Sequence, residues 1–138
     1  MGTRAQDVAA LALVVVLGGC SSTTPTVPTG PHPDGDEKAV SVPFPPPPAR
    51  VEVIPLRRRD TCLWLDGSWD YRGGAWVWLE GAWLEGDSPC FYVPPHTRFE
   101  STPAGTALVY SRGQWYEKTA LNAICQPPPV CADTSEEN

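Results

Sequence analysis

Between residues 62 and 115 the apolar and aromatic residues come in short bursts, and no stretch carries the 3.6-residue rhythm of a long amphipathic helix. CLWLDGSW begins at residue 62, WVWLEGAW at 76 and CFYVPPHT at 90, a period of 14 residues. The first two copies share W-L-[Asp or Glu]-G-x-W. The third keeps the aromatic-apolar start and then departs, and YSRGQW at 110–115 returns to the frame with tyrosine first. Asp66-Gly67 is a strong two-residue hairpin signal, because a type I′ turn needs positive φ at both central positions; Glu80-Gly81 and Arg112-Gly113 are weaker forms of it. Turns at those steps set Trp64 against Trp69, Trp78 against Trp83 and Tyr110 against Trp115, at non-hydrogen-bonded positions where side chains approach most closely. A turn at Gly73-Gly74 then pairs Arg72 with Ala75, Tyr71 with Trp76 and Trp69 with Trp78. Trp64, Trp69, Trp78 and Trp83 form one row across four short strands, and Leu63, Leu65, Val77, Leu79 and Leu84 occupy the opposite face. A three-residue turn through Arg72 would instead send Trp76 and Trp78 to the other side. The one helix candidate is a turn or two near residues 119–124, with Thr119 as its cap.

The frame resembles the designed tryptophan-zipper hairpins, in which cross-strand indoles lock a short turn; each aromatic pair adds about 0.5–1.5 kcal/mol beyond burial. The expected fold is therefore all-β, a small antiparallel meander of short hairpins over residues 51–131. A core of that size is marginal without staples. Setting Cys20 aside leaves Cys62, Cys90, Cys125 and Cys131, which read as two disulfides in an exported chain. Cys62 and Cys90 hold equivalent repeat positions. In a flat meander they lie about four spacings of ~4.8 Å apart, whereas bridged cysteines need Cα atoms within about 7 Å. Their direct pairing requires the sheet to roll up; otherwise each reaches Cys125 or Cys131, which flank three prolines. All three connectivities stay open.

The front of the chain is different. Residues 1–19 run from a charged start with Arg4 through an unbroken apolar stretch, Val8 to Leu17, into small residues, the layout of a secretory signal too short to span a bilayer. Leu17-Gly18-Gly19-Cys20 resembles the lipobox of bacterial lipoproteins. That resemblance implies that Cys20 is diacylated, the preceding peptide removed and the new amino terminus acylated. Ser21, in place of aspartate, implies sorting to the outer membrane, facing the periplasm or the cell surface. Residues 20–50, rich in Pro, Ser and Thr, are expected to form a disordered tether stiffened by polyproline II and able to hold a domain several nanometres off the membrane. Residues 132–138 read as a loose acidic tail.

Composition narrows the chemistry. Net charge is −6, which argues against nucleic acid as a partner, since phosphate contacts need clustered Lys and Arg. Arg57-Arg58-Arg59 is the one basic run; it either touches anionic headgroups or is a solvated strand entry. No CxxC pair exists, and His32 and His96 both sit beside prolines, so neither a metal site nor a cofactor is expected. Asp66, Asp70, Glu80, Glu85 and Asp87 are close enough to suggest a carboxylate pair, but they lie in or beside turns, where solvated carboxylates explain them. No enzyme is expected.

The chain holds six tryptophans, and their use admits two readings. In one they are the core of a domain with few other bulky residues. In the other Trp69, Trp78 and Trp83 form an exposed platform that stacks on glycans or peptidoglycan. The frames Trp64-Gly67-Trp69 and Trp78-Gly81-Trp83, with Tyr71-Arg72-Gly73-Gly74 between, resemble the YXWXGG/WXXGXW-repeat lipoproteins of Gram-negative bacteria. That resemblance spans about residues 62–97 and implies an envelope lipoprotein with no assigned activity. The sequence thus points to a membrane-anchored structural or protein-interaction module, with glycan binding as the alternative.

Overall fold

A computed structural model describes residues 23–33, 38–120 and 122–131. Nine strands make up its regular structure: β1 (Val40–Ser41), β2 (Cys62–Leu65), β3 (Ser68–Arg72), β4 (Ala75–Leu79), β5 (Ala82–Glu85), β6 (Cys90–Val93), β7 (His96–Thr102), β8 (Gly105–Ser111) and β9 (Gln114–Glu117). The fold is all-β, built of short antiparallel ladders and stapled by two disulfides. The described residues of 119–124 form no helix; Ala120 N bonds Glu117 O and Ala123 N bonds Ala120 O.

The Gly73-Gly74 turn is where the pattern placed it. Both glycines have positive φ, 56° and 84°, and Arg72 faces Ala75, Tyr71 faces Trp76 and Trp69 faces Trp78. The other expected turns are not turns. β2 pairs with β5 rather than β3, matching Trp64 to Trp83 and Leu65 to Ala82. Leu65↔Ala82 and Ser68↔Leu79 belong to one register, so β2–β3 and β4–β5 are the arms of one long hairpin. Asp66-Gly67 then lies opposite Glu80-Gly81, in a break in the middle of the ladder. The tryptophan contacts survive with new partners: ring centroids are 5.4 Å apart for Trp64 and Trp83, 5.2 Å for Trp69 and Trp78, and 5.1 Å for Tyr71 and Trp76.

Residues 90–117 repeat this plan. β6 pairs with β9 and β7 with β8, again in one register, closed at the tip by Thr102↔Gly105. Here the break sets Pro94-Pro95 opposite Arg112-Gly113. Tyr110 faces Thr97, and Trp115 faces Tyr92 with centroids 5.1 Å apart; the expected Tyr110–Trp115 pair does not form. The 14-residue period is therefore a half-hairpin unit, and two units face each other in each hairpin.

A loose tether is the expectation over residues 20–50. The described part of residues 23–57 instead packs on the hairpins as an arm. Pro25 to Gly30 lies as a strand between the free edges of β2 and β6: Trp64 N donates to Pro25 O and Val27 N to Trp64 O, while Tyr92 N donates to Pro28 O and Gly30 N to Tyr92 O. Proline lacks N–H but keeps its carbonyl, so Pro25 and Pro28 can serve as acceptors along this slot. β1 then adds to β8 through Val40↔Tyr110 and Ser41↔Val109. At the other end of the chain, Cys131 N bonds Trp83 O and Cys125 N bonds Trp115 O, extending the outer edges of β5 and β9. Residues 126–128 alone join these two edge segments, and at about 3.5 Å per residue they draw the two sides of the row together. The sheet is rolled, around Val27, Leu84, Cys90, Trp115 and Cys125.

The disulfides follow from this closure. Cys62 bonds Cys131 and Cys90 bonds Cys125, so each repeat-equivalent cysteine ties its own hairpin to the segment at that hairpin's edge. Cys20 and the expected acidic tail lie outside the described residues.

Candidate functional site

The tryptophan face of the first hairpin is a groove, and the arm lies in it. Four indole N–H groups point outward, each with an acceptor from residues 44–55: Trp76 to Phe44 O at 3.2 Å, Trp69 to Pro48 O at 3.1 Å, Trp78 to Glu52 Oε1 at 3.1 Å and Trp83 to Pro55 O at 2.9 Å. The acceptors run in order from the hairpin tip toward its base. Trp64 is buried and turns its own N–H to Asp66 Oδ1 at 2.7 Å. The Arg50 guanidinium sits 4.9 Å from the ring centre of Trp69 and 5.9 Å from that of Trp78, a cation–π contact with both.

Glu52 is the centre of the groove. Its carboxylate accepts from Gly67 N and Gly81 N, both at 2.9 Å, as well as from Trp78. The break in the ladder frees these two backbone donors, and the carboxylate satisfies both. Partial burial pushes the Glu52 carboxyl up; the bonds from Gly81, Gly67 and Trp78 outweigh it and hold the group below its ordinary value. Glycine is required at both steps for want of space: a Cβ on Gly67 would stand 2.5 Å from Trp78 Cζ2, and one on Gly81 would stand 2.7 Å from Leu65 O.

Beneath the groove, Asp70 is buried at 4% exposure. It accepts from Tyr110 Oη at 2.8 Å and Arg72 Nε at 2.5 Å, with Arg112 at 3.8 Å. Burial pushes its carboxyl up, but the bonds from Arg72 and Tyr110 and the charges of Arg112 and Arg72 prevail, so it stays below the ordinary range. Tyr110, desolvated and bonded to an anion, has its phenol pushed up instead. This cluster joins the two hairpins, since Tyr110 also donates to Trp69 O at 3.2 Å and its ring meets Trp76 edge-on at 4.9 Å. Asp70 is thus no solvated turn carboxylate. Arg57 and Arg59 are likewise engaged within the chain, Arg57 with Cys62 O and Arg59 with Glu85.

Of the residues expected to offer a glycan platform, Trp69, Trp78 and Trp83 do share one face, but each is half-buried and donates to the arm. A cleft of about 330 Å³ remains beside them, lined by Pro46, Pro47, Trp69, Trp76, Trp78 and Tyr110 among others. Glu52, Arg50 and Asp70 carry the site, and no sequence motif marks them. One signal is available: half-buried indoles need acceptors, and a proline-rich segment supplies carbonyls with few competing donors. Among the described residues no group of three or more His, Cys, Asp and Glu side chains converges to hold a metal ion. No family model matches the chain, and no curated protein or solved structure does.

Proposed function

We propose that the chain is a lipid-anchored, non-enzymatic interaction module of the cell envelope, acylated at Cys20 at the outer membrane, whose tryptophan row grips extended proline-rich peptide. The observation that carries the peptide-holding part is the ordered set of indole donors at Trp76, Trp69, Trp78 and Trp83, each matched to an acceptor of residues 44–55. Polyproline segments suit aromatic grooves because their backbone is already extended and loses little entropy on docking. A saccharide would have to displace this segment to reach the indole N–H groups. A non-enzymatic role is supported by how the two carboxylates are used: Glu52 accepts from Gly67 N, Gly81 N and Trp78, and Asp70 from Arg72 and Tyr110, all contacts that hold the fold together.

The anchor is tested by metabolic labelling with a palmitate analogue in the native chain and in Cys20→Ala. Labelling confined to the native chain is the expected result, and equal labelling would end the lipidation reading. The groove is tested by tryptophan emission: blue-shifted fluorescence that added peptidoglycan fragments leave unchanged supports it, whereas red-shifted emission that responds to saccharide would transfer the groove to a glycan ligand.

A further inference from the structure

The arm and the hairpins are joined covalently at one place only. Both disulfides link residues within 62–131, and none reaches the arm. The arm's hydrogen bonds described above all end on residues 60–131: in the slot between β2 and β6, on β8, and in the indole groove. Without the arm, the hairpin body keeps its staples but opens a strand slot at Trp64 and Tyr92, each with one N–H and one carbonyl to satisfy, and two glycine donors in the groove.

We propose that a second copy of this chain fills it: residues 23–33 and 38–57 of one copy enter the slot and groove of another, and the donor's Glu52 occupies the Gly67–Gly81–Trp78 site of the acceptor. The proposal rests on the reading of the groove as a peptide-holding surface. The body asks for a strand that offers one carbonyl and one N–H to each edge of the slot, then backbone carbonyls for three indoles, with a carboxylate for the fourth, Trp78, between the last two of them. The arm of this chain meets that whole pattern, and an identical arm meets it equally well. The connecting residues 58–61 make the exchange simple. There the chain reverses through a single tight turn, closed by Cys62 N on Arg59 O, and opening that turn redirects the arm without disturbing a strand. Each hydrogen bond that the arm gives up to its own body re-forms on the body of the other copy, as in strand complementation and domain swapping.

The test uses the chain with Cys20→Ser, so that acyl groups do not gather copies, and with the photo-reactive benzoylphenylalanine in place of Val53. That residue is 93% exposed and borders the cleft lined by Trp78 and Glu80. Monomer and dimer fractions are separated by size at concentrations up to about 1 mM, irradiated and run on a reducing denaturing gel. The expected result is a dimer fraction whose crosslinks join two chains and map to residues 76–81, enriched about tenfold or more over the monomer fraction. A chain that stays monomeric throughout, or a dimer whose crosslinks stay within single chains, overturns the exchange and leaves the groove reading standing. Crosslinks that map to residues 76–81 in neither fraction overturn both.

Discussion

In the first hairpin the broken ladder is bordered by Asp66-Gly67 and Glu80-Gly81; in the second, by Pro94-Pro95 and Arg112-Gly113. The glycines leave backbone N–H groups facing outward, and the arm answers with an acceptor, the Glu52 carboxylate. The prolines have no N–H to offer and present a carbonyl, and the arm answers with a donor: His32 Nε2 bonds Pro94 O at 2.6 Å and lies 2.7 Å from His96 Nδ1. In each hairpin an aromatic ring closes over glycine, Trp78 on Gly67 and Trp64 on Gly81 in one, Tyr92 on Gly113 in the other. One backbone plan thus accepts opposite chemistry from the same arm, and the dipeptide in the break decides which. Binding in the first hairpin should depend on an anion, and in the second it should not.

That contrast can be broken at several points. The largest effect belongs to the staples. Replacing Cys62 and Cys131 by serine is expected to cost about 4 kcal/mol and the Cys90–Cys125 pair slightly less, because the closed loops span 69 and 35 residues and loop entropy grows with length; urea melts of the two double variants check the order. Next comes Asp70→Asn, expected to lose about 2–4 kcal/mol because the Arg72 and Tyr110 donors lose their anion. Gly81→Ala should cost about 1–3 kcal/mol and more than Gly113→Ala. The first Cβ meets the Leu65 backbone, which cannot yield, whereas the second meets the far end of the Tyr92 side chain. Equal melting temperatures for the two would deny the difference between the breaks.

The smallest expected change is also the most specific. Glu52→Gln should cost about 1–2 kcal/mol at neutral pH and alter the acid limb of stability. A carboxyl held below its ordinary value of 4.5 contributes stability that is full above that value and is lost as pH falls through the lowered folded one. The native chain should therefore weaken below about pH 4.5, and Glu52→Gln should weaken less steeply over the same window, with the remaining loss traced to Asp70. Parallel acid limbs would remove Glu52 from its assigned place.

Local chemistry explains what the sequence disclosed. Gly73-Gly74 was legible because two consecutive positive-φ residues can serve only a tight reversal, and the flush register followed from it. The indole contacts were foreseen in kind, with Trp69–Trp78 and Tyr71–Trp76 as expected, while Trp64 took Trp83 in place of Trp69. Asp66-Gly67 misled because a turn and a ladder break draw on the same residue types, and the feature that separates them, Glu52, lies 15 residues upstream of Gly67. Proline-rich composition alone reads as a free chain; the donors that hold residues 44–55 belong to side chains up to 32 residues away, beyond the reach of any local pattern. Asp70 looked like its surface neighbours for the same reason, since its burial depends on Tyr110 from the second hairpin.

The pairing of Pro25 with Trp64 fixes how much leash the body has. Only residues 21–24 separate that anchor point from Cys20, so an acylated Cys20 would allow a stand-off of no more than about 18 Å at full extension. With that anchor in place the body would ride against the bilayer as a low-slung cap, and a partner would have to come to the lipid surface to meet it.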